Sequence, residues 1–139
     1  PDIQYHFLPS LVSEHVRSVG DRHAFQAHVG TLRPESRGHI RLASNNPFEA
    51  PIIQANYLQT DNDLRDLMAC IPLTREIFNQ PAFKPYKGVE LQPGIDCQSP
   101  SDMQAFIRAK ADSAYHPCGT CKMGADEMAV VNPQAKVVG

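Results

Sequence analysis

Hydrophobic periodicity changes once along this chain, and that change limits the folds open to it. Up to Leu42 apolar residues recur at every second position, whereas from Leu64 onward they recur at helical spacing. Ile3, Tyr5 and Phe7 alternate with Gln4, His6 and Leu8, as on a strand with two distinct faces, and Pro9 ends the run. After a polar loop over residues 13–21, Phe25, Ala27 and Val29 alternate with Gln26 and His28, and Gly30 signals a bulge or bend. The segment RPESRGHIRLAS offers a turn across residues 34–38 and a third strand, with Ile40 and Leu42 facing opposite to His39 and Arg41. An antiparallel hairpin to the preceding strand is the simplest connection.

The helical part has its own punctuation. Thr60 or Asp61 can cap a helix running from about residue 62 to residue 79, Asp61 and Asp63 suit its positive end, and Leu64, Leu67, Met68 and Ile71 share one face. Pro72 lacks the amide that would bond the Met68 carbonyl, which predicts a kinked or two-part helix. Ser99 as cap, Pro100 at the first position and Asp102 three residues after the cap announce a second helix with Met103, Phe106 and Ile107 inward. Without a regular βαβ alternation, these elements predict an α+β fold, a mainly antiparallel sheet with helices on one side.

Size and charge narrow the function classes. A chain of 139 residues, 42% hydrophobic and 20% charged, can bury a core as one domain. A net charge of -2 and scattered basic residues give no electrostatic reason to expect nucleic acid, and Arg37 and Arg41 fit the solvated face of a strand. No apolar run approaches the ~20 residues needed to cross a bilayer. Four unevenly spaced cysteines suit a reducing compartment better than a disulfide scaffold. The start at Pro1 and the stop at Gly139, after Val137 and Val138, read as a piece of a longer protein.

The chemistry-bearing stretch is SAYHPCGTCKMG, residues 113–124. Pro117 biases His116 toward an extended backbone, and Gly119 and Gly124 permit geometries that side chains forbid, so the imidazole is held at a bend. Such a histidine can exchange a proton with a bound substrate, or it can be a hydrogen-bonded loop residue; the local sequence leaves both open. Cys118 and Cys121 form a CGTC pair. A zinc site would need a second close pair, but Cys70 and Cys97 stand alone, so His116 and a distant ligand would have to complete it. A thioredoxin-like pair belongs in a βαβ setting that this position lacks. The plain alternative is two semi-buried thiols that fill space.

Read together, RPESRGHIRLAS with PIIQANYL, LTREIFNQPAF, YKGVELQPG, and SAYHPCGTCKMG with AVVNPQAKVVG resemble the C-terminal, substrate-side part of the glucose-methanol-choline oxidoreductase family. PDIQYHFLPS, AFQAHVG and QPAFKPYKGVELQPG bring the resemblance nearest to the choline-oxidising members. It implies that His116, the histidine of the YHP motif, is catalytic, assisting loss of the hydroxyl proton while a hydride passes to flavin. It also implies that Tyr115 and His6 line the substrate pocket, whose ligand would be choline, oxidised to betaine aldehyde on the way to glycine betaine. Another primary alcohol is the alternative substrate, and a non-catalytic zinc or thiol module on Cys118 and Cys121 is the alternative class.

The cofactor implied is FAD, but no GxGxxG turn occurs, so residues 1–139 are expected to be a partial substrate domain whose FAD-binding half lies elsewhere, and no cofactor-binding residue is assigned within it. A second catalytic residue, Asn or His, is expected beyond Gly139. Relatives often have aspartate where Asn132 stands in VVNP, a neutral turn variant, and the first cysteine of the pair varies among them, which favours thiols that merely pack. By resemblance, the parent would associate peripherally with the mitochondrial inner membrane or the bacterial cytoplasmic membrane.

Overall fold

A computed structural model describes residues 2–13, 18–19 and 23–139. The chain forms two units, one of residues 1–36 and 58–111, the other of residues 37–57 and 112–139. In the first unit, β1 (Ile3–Leu8) pairs antiparallel with β4 (Gln26–Thr31), and β2 (Val12–Ser13) pairs with β3 (Ser18–Val19). The second unit holds β5 (His39–Arg41) paired antiparallel with β6 (Ile52–Gln54). The class is α+β, and the strands among the described residues are divided among three two-stranded antiparallel ladders. Most of the expected polar loop over residues 13–21 lies outside the described residues.

Two local expectations are corrected. The strand that begins after Phe25 returns to β1, not to the strand after Gly38, whose partner is instead Ile52–Gln54. Gly30 lies opposite Gln4 in an unbroken register, so no bulge forms there. Both corrections have one cause: a strand's local pattern gives its faces but not its partner, which is set by burial elsewhere.

Alternation along β1 sends Ile3, Tyr5 and Phe7 toward α1 (Asp61–Phe78), and Gln4, His6 and Leu8 the other way. The Tyr5 hydroxyl lies 3.0 Å from Thr74 Oγ1 of α1. Thr74 spends its own proton on the Cys70 carbonyl at 2.7 Å, so Tyr5 is the donor. Phe7 joins Phe25, Phe78 and Phe83 in a cluster with ring centroids 5.0 to 6.4 Å apart in tilted and edge-on arrangements.

The helices form where their caps predicted. Thr60 Oγ1 accepts the Asp63 amide at 3.2 Å at the start of α1, and Ser99 and Asp102 form a reciprocal capping box at the start of α2 (Pro100–Lys110). Leu64 and Ile71 are buried against Ile107, with Leu58, Leu67, Met68, Met103 and Phe106 packed around them. Burial of each such side chain contributes about 2 kcal/mol. α1 runs as one element through Pro72, which excludes the two-part form: the missing amide costs one hydrogen bond, while Leu64 and Ile71 before it pack with Ile107 of α2 and Phe78 after it packs with Phe7 and Phe25. In the last turn of α1, the Arg75 guanidinium forks onto both Glu90 oxygens and the Gly94 carbonyl, at 2.8 to 3.2 Å.

Asp63 has a second role. Only 4% exposed, its carboxylate accepts the Glu35 amide at 2.7 Å, the Ser36 amide at 2.9 Å and the Ser36 hydroxyl. Burial alone would push this carboxyl up, but the Ser36 hydroxyl, the two amides and Thr60 outweigh it and hold the group below the usual aspartate range.

In the second unit, Gly38 stands immediately before the β5–β6 ladder, where the two backbones come close. A Cβ there would sit 2.1 Å from the Gln54 carbonyl oxygen and 2.5 Å from that of Ala55, so no other residue fits without moving the strands.

Candidate active site

The chain leaves α2 at Ala111, whose amide still bonds the Ile107 carbonyl at 2.7 Å, and enters the SAYHPCGTCKMG loop through two side-chain turns. Asp112 Oδ1 accepts the Ser113 amide at 2.7 Å, and Ser113 Oγ accepts the Tyr115 amide at 3.0 Å. Tyr115 takes a left-handed backbone, φ 59°, which costs a side-chain-bearing residue about 1 kcal/mol or more. The strain stands immediately before His116. Tyr115 is 65% exposed, His116 and Pro117 are exposed, and Gly119 at φ 120° occupies a region where glycine is favoured.

Beyond the cysteines the loop is anchored. The Lys122 carbonyl accepts the Val130 and Val131 amides at 3.0 and 3.2 Å, and Lys122 pairs with Asp126 at 2.8 Å. Asn132 Oδ1 accepts the Gln134 and Lys136 amides, each at 3.0 Å. An aspartate carboxylate could accept the same two amides, which is the physical content of the neutral exchange expected at that position.

Tyr115 and His116 thus stand side by side in the second unit, and His6 stands in the first, exposed on the β1 face turned away from α1. A cleft of about 450 Å³ in the first unit is lined by Phe7, Pro9, His23, Phe25, Phe83 and Tyr86, and contains none of the three. The sequence reading missed His28, which the register places directly opposite His6. Its only signal was its polar-face position in AFQAHVG.

Cys118 and Cys121 are both exposed, which corrects the expectation of packed thiols: flanking proline and glycines hold the pair at the surface. Among the described residues no three His, Cys, Asp or Glu side chains converge as a metal ion would require. Replacing both cysteines with serine is expected to change stability by no more than about 0.5 kcal/mol, a factor of two to three in any rate that follows it. Melting curves, substrate-driven flavin reduction and zinc content of the flavin-loaded protein check this; bound zinc lost together with activity would establish a metal role.

Neither long helix offers a dinucleotide phosphate site. The first turn of α1 is capped by Thr60 and carries Asp61 and Asp63, and that of α2 is closed by Ser99 and Asp102; each carboxylate repels a phosphate. Neither helix N-terminus therefore fits the pyrophosphate of FAD.

Residues 34–139 match the family model described as GMC oxidoreductase. Over the whole chain, identity is 51% to the oxygen-dependent choline dehydrogenase of Brucella ovis and 54% to the mitochondrial choline dehydrogenase of Homo sapiens. The chain spans 26% and 24% of those proteins, about a quarter of their length. Among solved structures it is similar to pyridoxine 4-oxidase from Mesorbium loti, with a TM-score of 0.83 and 29% identity over 99% of this chain and 27% of that one. The chain belongs to the GMC oxidoreductase family, whose members are flavoproteins.

Proposed function

We propose that this chain is the substrate-side part of an FAD-dependent choline dehydrogenase, with His116 as its catalytic histidine and Tyr115 and His6 lining the alcohol pocket. The observation that carries the reading is the 51 to 54% identity to choline dehydrogenases over the whole chain, against 29% to a relative whose name gives another alcohol. When bound, FAD supplies the two-electron chemistry by accepting a hydride. The chain's own contribution is to the hydroxyl group: a neutral imidazole at His116 accepts its proton, or a protonated one holds the alkoxide by a charge-assisted hydrogen bond. The strained Tyr115 backbone supports this assignment, since such strain concentrates at positions where a side chain must be aimed.

The relatives include mitochondrial and bacterial proteins, so either setting suits the parent. No helix among the described residues is long and apolar enough to cross a membrane.

Anaerobic mixing of the flavin-loaded, full-length protein with choline tests the reading. Choline is expected to bleach the oxidised flavin faster than a neutral isostere in which carbon replaces the quaternary nitrogen. A flavin left oxidised by choline but reduced by a different primary alcohol would move the assignment to that alcohol, as the likeness to pyridoxine 4-oxidase allows.

A further inference from the structure

The β1–β4 ladder has one face committed to the core and one that is not. Tyr5 on the committed face bonds Thr74, and Phe7 packs on Phe78, both from α1. The other face pairs Gln4 with Gly30, His6 with His28 and Leu8 with Gln26. His6 and His28 are both exposed there, and directly opposed residues in such a ladder hold their Cβ atoms roughly 5 Å apart. Two imidazoles therefore stand abreast on the side of the ladder that the helix does not use.

The tautomer of one of them is set by its neighbours. The Val12 amide donates to Gln26 Oε1 at 3.0 Å, which fixes which end of the Gln26 amide faces which way. Gln26 Nε2 then faces His28 Nε2 and is hydrogen-bonded to it. An amide nitrogen only donates, so His28 Nε2 must accept. With Nε2 accepting, the ring carries its proton on Nδ1. Around His28, the titratable group across the ladder on β1 is His6, while Gln26 on β4 and Val12 on β2 carry no charge.

We infer that His28 is a further residue of the alcohol site, a positioning residue clamped in its neutral Nδ1–H tautomer by the Val12–Gln26 relay. Standing beside His6, it sets the affinity for a cationic alcohol. The inference rests on the reading that His6 lines the substrate pocket. A positive charge beside His6 would repel a quaternary ammonium group but leave a neutral alcohol of the same shape almost unaffected, because the difference between the two substrates is purely electrostatic.

The test compares choline with its neutral carbon isostere in the flavin-loaded, full-length protein. His28→Lys is expected to raise the KM for choline, relative to that for the isostere, by about tenfold or more with kcat within about threefold, while the neutral, polar His28→Gln leaves the ratio near that of the parent. Gln26→Leu, which removes the donor that fixes the His28 tautomer, is expected to raise the same ratio, and it decides the matter if His28→Lys loses its flavin. With histidine-selective ¹⁵N labelling, the His28 signal is expected to show the Nδ1–H tautomer in the parent and to lose that preference in Gln26→Leu. A dominant Nε2–H tautomer in the parent overturns the inference. So does an unchanged ratio in the Lys and Leu variants while His6→Lys raises it. An unchanged ratio in His6→Lys as well overturns the pocket reading of His6 and this inference together.

Discussion

Replacing His116 with Ala or Gln is expected to slow flavin reduction by choline by on the order of a hundredfold or more, the usual scale for removing a positioned proton acceptor or an oxyanion donor. The fold and the bound flavin should survive, because His116 is exposed in its loop and stands outside the buried cluster of Leu64, Ile71 and Ile107. Stopped-flow reduction per bound flavin, with a melting curve on the same sample, separates chemistry from folding. If the neutral imidazole is the acceptor, the rate of the parent rises with pH, and that rise is absent in the variant. A purely structural histidine gives the reverse pattern, with a lower melting point or lost flavin and a near-normal rate per loaded molecule. A rate within about threefold of the parent ends the catalytic assignment, since packing changes alone can cause as much.

The largest effect on stability is expected at Asp63. Asp63→Ala strips the acceptor from the Glu35 and Ser36 amides and from the Ser36 hydroxyl, and leaves these donors beside a void. The expected loss is about 2 to 4 kcal/mol, read by urea unfolding; Ser36→Ala, which removes one of the three donors, should cost about 1 kcal/mol. The pH dependence has a definite sign. A carboxyl whose folded pKa lies below its unfolded value contributes its full stabilisation above the unfolded value, near pH 4, and loses it as the pH falls through the depressed folded value. Unfolding series from neutral to acid pH should therefore show a decline in the parent that is shallower in Asp63→Asn. An identical acid decline in the two proteins would mean that the buried carboxylate is not held ionised by these donors.

What could be read from the chain in advance was what is decided locally. The start of α2 was legible because Ser99 and Asp102 bond each other across three residues, and the start of α1 because Thr60 caps the Asp63 amide. The faces of β1 were legible from its alternation. Its partner was not, since nothing within Ile3–Leu8 distinguishes β4 from any other strand of matching pattern. Asp63 was read as a favourable charge at a helix end; its hold on Glu35 and Ser36 joins positions 28 and 27 residues apart. Gly38 looked like a turn glycine, whereas the reason for it is the carbonyl of Gln54 on the neighbouring strand.

At the site, His116 was marked by the proline and glycines around it and by the family motif. The left-handed backbone of Tyr115 was invisible, because that conformation is signalled by Gly or Asn and an aromatic residue argues against it. The exposure of Cys118 and Cys121 was misjudged because cysteine is among the residues most often buried, and a CxxC spacing says nothing about depth.

The four thiols are divided by depth in a way that makes the chain its own reporter. Cys70 and Cys97 are buried in the first unit, and burial, with the charge of Asp66 behind it, pushes the Cys70 thiol up and away from the reactive thiolate. Cys118 and Cys121 are open in the second unit. A thiol reagent therefore titrates two groups of this chain quickly and two only when the first unit opens. The slow pair acts as a clock on that opening, with no probe attached and without reference to flavin or substrate.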